Sequence, residues 1–76
     1  MRVYLRQEDG EAALADVEHL IEHQPNEPIL FAMRGLAKAM AGDGPGAAAD
    51  FDRAQAMTDD PELLSVIELI RTETGY

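Results

Sequence analysis

Apolar residues return along this chain at three- and four-residue steps, and the breaks between the periodic stretches are built from turn formers. Asp9-Gly10, Gln24-Pro25-Asn26-Glu27-Pro28, Gly42-Asp43-Gly44-Pro45-Gly46 and Asp59-Asp60-Pro61 each join a capping carboxylate or amide to glycine or proline. Between these breaks the pattern predicts five helices, over residues 2–7, 11–23, 28–41, 45–57 and 61–72. Pro28, Pro45 and Pro61 each precede an apolar-rich segment. In the first turn of a helix the N–H that proline lacks would have no intrahelical acceptor, so helices are expected to begin near all three.

The segments differ in how much of their circumference is apolar. In 11–23, Ala13, Val17, Leu20 and Ile21 make one stripe, with Asp16, Glu18, His19 and Glu22 on the remaining arc, as in a helix with a single buried face. In 28–41 the only charges, Arg34 and Lys38, fall close together and apolar groups fill the rest, which predicts packing on several sides. Gly35 inside it would weaken an isolated helix by about 1 kcal/mol relative to alanine. Its expected use is to let a neighbouring helix approach closely. In 61–72, Leu63, Leu64, Val66, Ile67, Leu69 and Ile70 cover an arc of roughly 220°, about twice the stripe that one neighbour requires.

Composition narrows the class. Seventy-six residues allow one domain with a thin core, and many alanines with few aromatics (Tyr4, Phe31, Phe51 and Tyr76) favour closely packed helices over a sheet. Fifteen carboxylates against six basic residues give a formal charge of -9, a field that repels phosphate backbones, so nucleic acid is not expected as a partner. Cysteine is absent, which excludes disulfides and thiolate zinc sites. No stretch is apolar enough for a secretory signal or a membrane span, so a cytoplasmic location without membrane insertion is the default expectation. No cofactor is expected.

Sliding the sequence against itself by 34 residues pairs Asp9 with Asp43, Gly10 with Gly44, Ala13 with Ala47, Ala15 with Ala49, Asp16 with Asp50 and Val17 with Phe51. Thirty-four is the period of the tetratricopeptide repeat, a helix-turn-helix unit. The chain resembles that family at Phe31, Gly35, Ala47, Phe51 and Ala54, with Gly42-Asp43 as the inter-helix turn and Tyr4, Ala13, Val17 and Pro25 in the preceding unit. It departs from the pattern at Arg34 and Lys38, where leucine and tyrosine are common, at Leu20, where alanine is usual, and at Asp59, which replaces the closing proline. The resemblance implies an all-α domain of antiparallel helix-turn-helix repeats over residues 1–76. A truncated first repeat would span 1–27, a second 28–60, and an extra C-terminal helix 61–74. Two units fall short of the roughly three that such stacks normally need, so a neighbour is expected to complete the packing.

The same resemblance implies a protein-interaction module with no chemistry of its own, an adaptor or a small subunit, that holds a protein or peptide in an aliphatic groove. That groove would be lined by Arg2, Leu5, Arg6, Ile29, Ala32, Leu36, Ala39 and Met40, and continued by Leu63, Val66 and Ile70. An apolar peptide or amphipathic helix suits it better than a charged one. The carboxylate-binding clamp of some relatives is not carried over, because Ala32, Met33, Leu36, Leu63 and Ile67 occupy that region. The alternative is self-association: the over-wide apolar face of Leu63, Leu64, Val66, Ile67, Leu69 and Ile70 would meet a second copy or a docking partner, chiefly through Leu64 with Leu69 or Ile70.

A remote third reading is enzymatic. His19-Leu20-Ile21-Glu22-His23 matches the H-x-x-E-H string of one class of zinc peptidases, in which His19 and His23 would share the metal and Glu22 would polarise a water. The repeat supplies a rival explanation, with His19 aligned to Arg53 and His23 closing its helix against the negative end of the dipole. Asp50 with Asp52 reads as a solvated face, and Asp59 with Asp60 as a helix cap. The glycine-rich run at 42–46 lacks the lysine and hydroxyl of a phosphate loop and reads as a turn.

Overall fold

The computed structural model describes residues 7–76, and among them every regular element is helical: α1 (Gln7–His23), α2 (Pro28–Met40), α3 (Gly44–Ala56) and α4 (Pro61–Thr74). The all-α class follows the periodicity. The helix expected over 2–7 lies outside the described residues except for Gln7, the first residue of α1. No helix among the described residues is long and apolar enough to cross a membrane.

Prolines and carboxylates set the starts. Pro28 and Pro61 are the first residues of α2 and α4, and Pro45 is the second of α3. The Asp43 carboxylate accepts the Gly46 N–H at 2.9 Å, and that of Asp60 accepts the Glu62 N–H at 3.0 Å. Each satisfies a donor that the helix itself leaves without an acceptor. Glu27 makes no such side-chain bond, so α2 relies on its proline.

The α2–α3 connection is three residues long and closed from both sides. Gly42 takes a φ of 90°, the left-handed region that glycine enters without steric cost. This lets Gly42 N–H reach the Ala39 carbonyl at 3.2 Å and Asp43 N–H reach the Lys38 carbonyl at 2.8 Å, the paired bonds of a Schellman ending. Asp43 thus ends one helix with its backbone and starts the next with its side chain. The similar dipeptide Asp9-Gly10, expected to be a break, lies inside α1. No glycine precedes Asp9 to turn the chain left-handed. Gly10 instead serves packing: a Cβ there would stand 2.7 Å from the Ala41 nitrogen and 2.9 Å from the Met40 carbonyl carbon.

Contacts give the directions. The start of α1 meets the end of α2 at Gly10, so these two run antiparallel. Arg53 lies over Phe31 while Gly35 meets Ala47, so α2 and α3 are antiparallel too, and Gln55–Glu68 with Asp52–Arg71 makes α3 and α4 antiparallel. The expected multi-sided packing of 28–41 is realised, because α2 touches all three other helices. Phe31, Ala32, Ala47, Phe51, Ala54 and Ile67 form the core, with Ile21, Ile29, Ala39, Met57, Leu63 and Ile70 packed around it. Phe51 and Ile67 are fully buried, each worth roughly 1.5–3 kcal/mol of apolar transfer. Gly35 is the crossing point the sequence implied: a Cβ there would lie 2.8 Å from the Phe51 ring and 3.1 Å from the Ala47 carbonyl oxygen.

Candidate functional site

Because α2 and α4 each run antiparallel to α3, they lie parallel to each other and their C-terminal ends come together. Between those ends is an open cavity of about 350 Å³, lined by Leu36, Ala39 and Met40 from α2 and by Glu73, Thr74 and Tyr76 from the end of α4 and just beyond. One wall is aliphatic. The other carries a carboxylate, a hydroxyl and an aromatic ring.

The Tyr76 wall is held by a small network. Gly75 adopts a φ of 83°, and the N–H groups of Gly75 and Tyr76 both reach back to the Arg71 carbonyl, at 2.8 and 3.2 Å. The Arg71 guanidinium donates twice to the Tyr76 main-chain oxygen, at 3.1 and 2.8 Å, and also to Asp52 at 2.7 Å and Gln55 at 2.8 Å on α3. Gly44 makes room for the ring, since a Cβ there would stand 2.6 Å from it.

Three of the residues expected in the groove, Leu36, Ala39 and Met40, therefore share one cavity. Ala32 does not belong to it. It is fully buried against the core, because α2 has neighbours on three sides and this position faces inward. Ile29, Leu63 and Ile70 pack against the core cluster and are only partly accessible. Arg2, Leu5 and Arg6 lie outside the described residues. Glu73, Thr74 and Tyr76 are not among the groove residues the sequence suggests: the C-terminal helix ends at Thr74 as the repeat division 61–74 implies, but no local pattern announces that Tyr76 folds back onto Gly44.

The wide apolar face of α4 divides on folding. Ile67 is fully buried and leaves the candidate surface, since it is the α4 residue inserted into the core. Leu64 and Ile70 of the expected pairing are half-buried, and Val66 and Leu69, 44% and 63% exposed, present more of the outer face.

The charged groups also sort themselves. Asp50, expected on a solvated face, is 4% exposed. Arg34 grips it through two hydrogen bonds of 2.9 Å and Lys38 adds a third contact at 3.1 Å. Burial by itself would push the Asp50 carboxyl up, but the hydrogen bonds and charges of Arg34 and Lys38 outweigh it and bring the carboxyl below its ordinary value. The hydrogen bond to Asp50 raises Arg34 in turn, against the effect of burial. The two positions where the chain departs from leucine and tyrosine thus answer a single buried carboxylate. All four Lys and Arg residues from position 7 onward point to internal partners, with Arg53 over Phe31 at 4.8 Å and Arg71 on Asp52. Glu11, Asp16, Glu18, Glu27, Asp59, Glu62 and Glu73 are exposed.

His19 and His23 sit one turn apart at the exposed end of α1, ring centroids 4.7 Å apart. His23 is the last helical residue, and its Nδ1 bonds the His19 carbonyl at 3.0 Å. Glu22 lies 3.8 Å from His19. Among the described residues no group of three or more His, Cys, Asp or Glu side chains could hold a metal ion.

No protein-family model, curated protein or solved structure matches the chain.

Proposed function

We propose that the chain is a protein-interaction module of tetratricopeptide type that holds an extended or helical peptide in the groove between the C-terminal halves of α2 and α4. The observation that carries this reading is the open cavity in which Leu36, Ala39 and Met40 face Glu73, Thr74 and Tyr76. Its size falls in the range of ligand clefts, and it pairs an apolar wall with a few polar groups, the usual composition of a recognition site. The resemblance in the sequence supports the same placement, since parallel neighbouring helices line the groove in that family. Met40 adds an adaptable wall.

Panning a random peptide library against the whole chain, followed by amide NMR mapping of the recovered peptides, tests this. Shifts are expected at Leu36, Met40, Glu73 and Tyr76. Recovery of no binders, or shifts confined to α1 and the outer face of α4, would remove the groove from the account.

A second reading, self-association, draws on a different observation: Leu69 and Val66 remain exposed on the helix whose Ile67 is fully buried. Sedimentation across a hundredfold concentration range separates the two readings. A mass that rises with concentration and returns to that of one chain in Leu69→Ser would favour self-association.

A further inference from the structure

The cavity between α2 and α4 combines features that together select one kind of side chain. Its lining joins the aliphatic Leu36 and Ala39 and the thioether-bearing Met40 to the exposed Glu73 and to Tyr76. It is also built at two helix ends at once: Ala39 and Met40 close α2, and Glu73 and Thr74 close α4. The Lys38, Ala39 and Arg71 carbonyls at these ends are capped by backbone N–H groups, which leaves the Glu73 carboxylate as the full negative charge in the lining. Among the described residues the lysine and arginine side chains are committed elsewhere. Arg34 and Lys38 hold Asp50, and Arg71, which pins Tyr76, is itself neutralised by Asp52 at 2.7 Å.

We propose that this pocket receives an arginine side chain of the bound peptide, its stem lying along Leu36 and Met40 and its guanidinium set between Glu73 and the Tyr76 ring. Long cationic side chains bury their stems on apolar surface and keep their heads at a charged rim. A planar guanidinium meets both a carboxylate and an aromatic face better than an ammonium does, which puts arginine before lysine. The net charge of -9 works in the same direction by drawing a basic segment toward the chain before contact.

This inference rests on the groove reading above, and its test separates the two. Peptides recovered on the intact chain and mapped to the groove are expected to carry arginine. Replacing that arginine by citrulline, which keeps the shape and loses the charge, is expected to weaken binding roughly three- to tenfold. Glu73→Gln should erase the difference between the arginine and citrulline peptides. Glu62→Gln, at the opposite end of α4, should leave it intact, which a general attraction to an acidic surface would not do. Groove-bound peptides without arginine, or a citrulline peptide that binds equally well, would overturn the inference and leave the groove standing. Peptides that shift no groove resonance would remove the groove itself.

Discussion

The α2–α3 hairpin and the outer side of α4 are built from similar apolar residues, yet they use them in opposite directions. In the hairpin the turn, crossing and charged residues are consumed internally, while Leu36, Ala39 and Met40 lend one wall to the cavity: Gly42 and Asp43 make the turn, Gly35 admits Phe51, and Arg34 with Lys38 closes on Asp50. On α4 only Ile67 is wholly buried, Val66 and Leu69 stay at the surface, and the helix end opens a cavity. Internal satisfaction marks a scaffold. Apolar surface and an open cleft mark a place where something else can bind.

The hairpin is most easily disrupted at Asp50. Asp50→Ala would leave Arg34 and Lys38 without their shared anion, and a loss of about 2–4 kcal/mol in chemical denaturation is expected, below the range for fully buried pairs because both cations reach water. The pH dependence has a definite sign. Since the folded carboxyl titrates below its ordinary value, its contribution is complete above about pH 4 and fades as the pH falls toward the lower folded value. The stability gap between the parent chain and Asp50→Asn should therefore shrink in acid as the pH falls below about 4. A constant gap would mean that the carboxylate charge is not what the cluster contributes.

Gly35→Ala comes next. Helix propensity alone would favour alanine by about 1 kcal/mol. The 2.8 Å approach to a buried ring predicts a net loss of roughly 1–3 kcal/mol by thermal or chemical unfolding. A gain would mean that α2 and α3 are less closely packed than described. Leu69→Ser should change stability by no more than about 0.5 kcal/mol, as expected of an exposed position. A large loss would place Leu69 inside an interface and strengthen self-association.

How much of this was legible in the sequence depended on whether the deciding partner was local. The starts of α2, α3 and α4 were, because Pro28, Pro45, Pro61 and the carboxylates Asp43 and Asp60 act within a turn of their own position. Asp9-Gly10 was misread as a break because the same chemistry at Asp43-Gly44 depends on the left-handed Gly42 ahead of it. Asp50 was misread although a signal existed: Ala47, Asp50, Phe51 and Ala54 share one helical stripe, and Arg34 and Lys38 lie one turn apart on α2. A buried carboxylate opposite two cations was the consistent solution. The cavity was half legible. Leu36, Ala39 and Met40 followed from the repeat register, whereas Tyr76 arrives through Gly75, Arg71 and the missing side chain of Gly44, contacts that no local pattern encodes.

The most direct test of the account sets the two regions of the apolar surface against each other. Affinity for a groove-mapped peptide is measured by calorimetry on Leu36→Gln, Tyr76→Ala and Leu69→Ser, each first verified as folded by its helical circular dichroism. Losses of at least roughly tenfold for the first two, with Leu69→Ser unchanged, are the predicted result, in keeping with the energy that a few buried anchors supply to peptide binding. Unchanged affinity in both groove variants together with loss in Leu69→Ser would contradict it and move the binding surface to the outer face of α4.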